Sequence, residues 1–229
     1  MATLQENRIG YASPNQREVL IQLARHPFLQ KDFFLTGGTA LSVFYLGHRV
    51  SEDLDLFSID PLDLSEIDFW IKTQWVGQSV KIKESPTFLS FLIQEVKVDL
   101  VIDPLSTREE REILGFGNGS FLRVDTLNSI VTNKFCTIAS RLEPKDFIDF
   151  YFILKRFPEL DIKDLYQQSR KKDGIFDDPP SVAYQIENGA AFIKENPSLW
   201  PQTHSPVDLQ DFFDFYKKIP KWIYGLVTV

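Results

Sequence analysis

Two neighbouring segments constrain what this chain can fold into: Leu35-Thr36-Gly37-Gly38-Thr39-Ala40-Leu41, and after it His48-Arg49-Val50-Ser51-Glu52-Asp53-Leu54-Asp55-Leu56-Phe57. In the first, Phe33-Phe34-Leu35 reads as a short buried strand ending on two glycines, and Thr39 to Leu46 has the apolar content of a helix packed against it. A strand that passes through glycines into a helix leaves free backbone N–H groups at the helix start. The missing side chains let a phosphate come close to them. The Thr39 hydroxyl adds one more donor. The plainer reading of Gly37-Gly38 is a tight turn. In the second segment, Leu54 to Phe57 reads as a strand, and period-two geometry sends Asp53 and Asp55 to one face while Leu54 and Leu56 enter the core. Two same-face carboxylates repel each other and gain nothing from packing. A divalent cation resolves the conflict, and hard oxygen ligands suit Mg²⁺, which also engages substrate phosphates. The alternative is a solvated strand edge whose acids deter aggregation.

Asp99 favours the metal. In Val96-Lys97-Val98-Asp99-Leu100-Val101 the apolar residues Val96, Val98 and Leu100 point one way, and Lys97 and Asp99 point the other. A strand beside that of Asp53 and Asp55 brings Asp99 to the same cluster; the competing reading is a salt bridge to Lys97. Three carboxylates and a phosphate-cradling turn are the parts that in-line attack on a nucleoside triphosphate needs, one acid helping to deprotonate the attacking hydroxyl.

The rest of the chain sets the frame. Gln16 to His26 reads as a helix stopped by Pro27, and Asp63 to Thr73 as another; Val80-Lys81-Ile82 and Phe88 to Ile93 read as strands, and Gly115 to Ser120 as a loop or hairpin tip. After Asp125 the character changes: Asn128 to Arg141 and Pro144 to Leu154 read as consecutive helices, with helical segments onward from Pro158. The expected fold class is α+β: an N-terminal lobe (1–124) with a small mixed sheet and flanking helices, then a helical lobe (125–229) with a soft boundary. The formal charge of −7 argues against broad, phosphate-driven nucleic-acid binding. The single cysteine, Cys136, forms no internal disulfide and no metal knot, and reads as core. With no apolar run of membrane-span length and no signal-like start, the expected address is the cytoplasm.

Gly37-Gly38-Thr39 followed by His48-Arg49-x-Ser51-x-Asp53-x-Asp55-Leu56-Phe57 resembles the AbiEii/AbiGii-type toxin nucleotidyltransferases of the polymerase-β-like superfamily. The resemblance continues from Lys134 through Arg141 and Lys145-Asp146 to Asp149, and spans roughly residues 33 to 155. It implies a nucleotidyltransferase-like N-terminal lobe and transfer of a nucleoside monophosphate from a triphosphate, with release of pyrophosphate and Mg²⁺ as cofactor. By that likeness Asp53 and Asp55 bind metal, and with Asp99, read from its strand, they form the catalytic and metal set; Gly38 and Thr39, with Gly37, meet the triphosphate. Lys134, Arg141, Lys145 and Asp146 belong to the nucleotide site, Lys145 standing where the family often has Arg. Arg49 and Ser51 order the loop before the metal strand or touch substrate. The implied partners are a nucleoside triphosphate, a tRNA acceptor and an antitoxin protein, in a toxin–antitoxin or phage-defence setting, with no membrane. Two rivals stand beside this: a small-molecule, antibiotic-type nucleotidyltransferase, and a non-catalytic nucleotide- or partner-binding protein of the same fold. From the residues alone, Asp146 and Asp149 equally complement a helix dipole, His48 reads as structural, and the aromatic C-terminal stretch reads as a packed closing helix, with an interface to a partner protein as the alternative.

Overall fold

A computed structural model describes residues 4–117 and 119–226, which fall into two compact units meeting in sequence at Leu127 and Asn128. The first unit is built on one seven-stranded mixed sheet. Its strands are β1 (Phe34–Thr36), β2 (Leu54–Ser58), β3 (Ser79–Ser85), β4 (Phe88–Ile93), β5 (Val96–Ile102), β6 (Glu112–Gly117) and β7 (Ser120–Val124), in the order β3-β4-β5-β2-β1-β7-β6. β2 pairs parallel with β5 and β1 parallel with β7; the other pairs are antiparallel. The buried members Leu35, Leu54, Leu56, Val98, Leu100, Leu89 and Phe91 supply the core beneath one face, as strict alternation requires.

The helices of this unit differ in detail from the sequence expectation. α1 (Pro14–Leu23) ends before Pro27, which opens α2 (Pro27–Asp32) instead of merely stopping its predecessor. Proline fits a first helical turn because its missing N–H has no partner to lose there. α3 begins at Gly37 (Gly37–Leu41) and continues as a π-helical turn over Ser42–Leu46. The widening falls where the Gly10 backbone presses on the helix: a methyl on Gly10 would lie 2.8 Å from the Ser42 carbonyl carbon. α4 (Ser65–Gln74) begins slightly later than expected. The stretch expected as a loop or hairpin tip, Gly115 to Ser120, is the hairpin tip: Gly115 and Gly117 close β6, Ser120 opens β7, and Asn118 lies outside the described residues.

The second unit is helical: α5 (Leu127–Ser140), α6 (Pro144–Arg156), α7 (Ile162–Arg170), α8 (Pro179–Glu195) and α9 (Leu209–Gly225). Its core is aromatic, with Phe135, Phe147, Phe150, Tyr166, Phe176, Phe212 and Tyr216 fully buried and rings such as Phe147 and Tyr216 at 5.1 Å. α9 buries Phe212, Tyr216, Ile219 and Ile223, one helical stripe, and so closes the unit. Gly189 permits the close approach of α8 to α6, since a methyl there would meet the Phe147 ring at 2.2 Å.

Candidate active site

The register of the central strands assembles one polar row across an apolar sheet. Ser90 on β4 is the partner of Asp99 on β5, Asp99 of Asp55 on β2, and Asp55 of Thr36 on β1. Asp125 extends the row past β7, its N–H donating to the Leu35 carbonyl at 2.8 Å. Laterally paired residues point to the same side of a sheet, so Asp55 and Asp99 share a face. Asp53, just before β2, joins them: the Lys97 ammonium lies 2.7 Å from Asp99 Oδ2 and 3.8 Å from Asp53 Oδ2. Burial by itself would lower the Lys97 pKa. The Asp99 hydrogen bond and the charges of Asp53, Asp99 and Asp55 outweigh that and hold it above the usual lysine value. All three carboxylates therefore act on one point in space.

The glycine turn is built against this row. Gly37 has φ +70°, and a methyl placed on it would lie 2.2 Å from Asp55 Oδ2, so both backbone and space require glycine. A methyl on Gly38 would meet the Arg49 guanidinium and the Ser51 hydroxyl, each at 2.8 Å. Arg49 and Ser51 are themselves buried, and Arg49 also donates to the Val50 carbonyl at 2.8 Å. The Thr39 hydroxyl, fully buried, donates to the Asp53 carbonyl at 2.5 Å and accepts from Gln16 Nε2 at 3.3 Å. It ties the helix start to the residue carrying the first acid.

Below Gly37 the turn is anchored by groups that the sequence reading missed. Thr36 Oγ1 donates to Asp125 Oδ2 at 2.7 Å, and Arg111 Nε donates to Asp125 Oδ1 at 2.9 Å. The Arg111 guanidinium also stacks on the Phe34 ring, 3.6 Å from its centroid. Asp125 carries the signature of a residue preceding a helix, and Thr126 N–H does reach its Oδ1 at 3.2 Å; that local role hid the long-range one. Ser90, which donates to Asp99 Oδ1 at 2.6 Å, had no signal in the sequence beyond its strand.

The remaining candidates cluster in the second unit. Lys134 Nζ lies 2.7 Å from Asp146 Oδ1 and 2.6 Å from Asp149 Oδ2, and Arg141 Nε lies 2.7 Å from Asp146 Oδ2. Both aspartates are wholly buried while Arg141 and Lys145 are exposed. Burial would raise the Asp146 pKa, but Lys134 and Arg141 outweigh it and hold the carboxyl below its ordinary value. Arg141 lies just past the end of α5, so Lys134 and Lys145 stand on different helices, α5 and α6.

No three His, Cys, Asp or Glu side chains among the described residues form a closed metal-holding group. The donor chemistry fits Mg²⁺ in another way: a magnesium site commonly takes one or two carboxylates, with phosphate and water oxygens completing the octahedron. Asp53 and Asp55, beside a turn bare of side chains, are such a pair.

A mixed sheet presenting this acid row beside a glycine turn defines a nucleotidyltransferase. Solved structures agree on the fold: a candidate nucleotidyltransferase from H. pylori is similar over 93% of this chain and 95% of its own, at 16% identity and a TM-score of 0.57. JHP933 from Helicobacter pylori is similar over 94% of each chain, at 16% identity and a TM-score of 0.55. The chain belongs to the AbiEii family, described as "Nucleotidyl transferase AbiEii toxin, Type IV TA system", whose model matches residues 19–216. No curated protein matches it significantly. Among the described residues no helix is long and apolar enough to cross a membrane.

Proposed function

We propose that this chain is a Mg²⁺-dependent enzyme that transfers a nucleoside monophosphate from a triphosphate to a hydroxyl of an RNA, tRNA foremost, or of a protein, as the toxic component of a toxin–antitoxin or phage-defence pair. The observation that carries the reading is the contact of Gly37 with Asp55 in a row that also holds Asp99. Asp53 and Asp55 hold the ion, which when bound neutralises the triphosphate. The backbone N–H groups of Gly37 and Gly38 meet phosphate oxygens. Thr39, Arg49 and Ser51 set the shape of that turn. Asp99 accepts the proton as the acceptor hydroxyl oxygen attacks the α-phosphorus; the new O–P bond forms, the bond to the β-phosphate oxygen breaks, and pyrophosphate leaves. By the family likeness Lys134, Arg141 and Lys145 are the candidate cations for nucleotide phosphates, and within the second unit Asp146 fixes the first two. We take residues 1–124 as the catalytic lobe and 125–229 as a helical lobe, the protein working in the cytoplasm with an antitoxin as genetic or physical partner.

The test is incubation with Mg²⁺, each α-³²P-labelled nucleoside triphosphate and total bacterial RNA, with the Asp53→Ala/Asp55→Ala protein as control. Label entering a tRNA-sized band with the unmodified protein alone is the expected result. Label on protein keeps the chemistry and names the other acceptor. Label on an added aminoglycoside instead moves the chain to the small-molecule class, and absence of label with intact nucleotide binding sinks the catalytic reading.

A further inference from the structure

Both oxygens of Asp99 are already engaged, and by groups of different kinds. Oδ1 accepts from Ser90, a short side chain fixed opposite it in the strand register. Oδ2 accepts from Lys97 at 2.7 Å, and the same ammonium lies 3.8 Å from Asp53. Lys97 and Asp99 are two residues apart on β5, so both side chains rise from one face. The lysine stem is long and its side chain 41% exposed, whereas the Asp99 side chain is only 13% exposed. One partner of Asp99 is therefore a short side chain fixed by register, and the other is the end of a long, part-exposed stem. The charges that face Lys97 are Asp53 and Asp55 from β2 and its approach, and Asp99 from β5, with the neutral Ser90 on β4. An ammonium at this position relieves the mutual repulsion of three acids, the task that a divalent ion performs when it binds.

Resting on the metal-dependent reading above, we propose that Lys97 is a tethered, displaceable counter-cation: it occupies the acid row in the nucleotide-free protein, competes with the divalent ion for the charge of Asp53 while its hydrogen bond holds Asp99, and swings away when the ion enters. Its departure also strips Asp99 Oδ2 of a hydrogen bond and so frees that oxygen to take the proton of the attacking hydroxyl. Lys97 is thus a positioning residue whose removal has opposite effects on two steps. Loss of the competing charge favours the bare ion, while loss of the clamp loosens Asp99.

The experiment is a titration of the nucleotide-free full chain with Mn²⁺, followed by the electron paramagnetic resonance signal of the free ion. Lys97→Met and Lys97→Gln are expected to bind Mn²⁺ roughly tenfold more tightly than the unmodified protein, the scale of one lost unit charge at a half-buried site. Lys97→Arg, which keeps the charge, stays within about twofold. The glutamine variant, able to hold Asp99 by a neutral hydrogen bond, covers the case in which methionine disturbs folding. Equal or weaker Mn²⁺ binding by a folded Lys97→Gln protein overturns the proposal while leaving the metal site in place. An Asp55→Asn protein with undiminished Mn²⁺ binding instead removes the metal reading itself, so the two failures are separable.

Discussion

At the scale of single residues, Gly37 is the most exacting position in the chain. Its backbone is left-handed and its missing side chain is filled by the Asp55 carboxylate. Gly37→Ala is expected to cost about 1–2 kcal/mol of stability from the backbone alone. It should also lower kcat by about 100-fold or more, because on the proposed mechanism displacing the Asp55 carboxylate by an ångström spoils the in-line geometry; denaturant melts and single-turnover assays separate the two effects. A quieter case is the β4–β5 turn, where Gln94 (φ 48°) and Glu95 (φ 69°) both sit in the left-handed region that normally selects glycine or asparagine. Glu95→Gly should therefore stabilise the protein by about 1 kcal/mol, raising Tm by about 2–4 °C in a calorimetric scan, with turnover retained. The glycines and acids were legible in the sequence because their chemistry is odd wherever they fold. Thr39 was legible as a member of the turn, yet its hydroxyl is spent on the Asp53 carbonyl, a partner that only the fold supplies.

At the scale of elements, the sheet turns sequence spacing into a site. Register places Asp99 beside Asp55 and Thr36 on the far side, so three strands that meet nowhere in sequence make one row. The pattern of β5 was readable because alternation there is clean. The tip of the β6–β7 hairpin was readable from its glycines, whereas its flanking strands were not, because Gly115, Gly117 and Gly119 weaken the local strand preference that pairing such as Leu114↔Leu122 overrides. The start of α6 gives a pH prediction. Asp146 has a folded pKa below its unfolded one, so its stabilisation is complete above about pH 4 and is lost as pH falls through the folded value. Asp146→Asn should cost about 3 kcal/mol at neutral pH, since it removes the buried charge that Lys134 and Arg141 both meet. Its urea midpoint should change less than that of the unmodified protein between neutral pH and pH 3. Helix-dipole complementarity was one of two readings of these acids; the burial of both aspartates makes the pairing a core feature.

At the scale of the whole molecule, the sheet ends in two open edges, β3 and β6. β3 exposes Val80 and Ile82 on either side of Lys81, an apolar template for pairing with another copy when the protein is concentrated. Ile82→Lys should lower light scattering on concentration without changing turnover, as it lies outside the acid row. The contact of Gly37 with Asp55 has one more consequence, and it is genetic. Every amino-acid-changing single-base substitution of a glycine codon either introduces a side chain or ends the protein. Colonies selected for having silenced this gene product should therefore carry lesions at that codon more often than at its neighbours, and many of them will still make full-length protein.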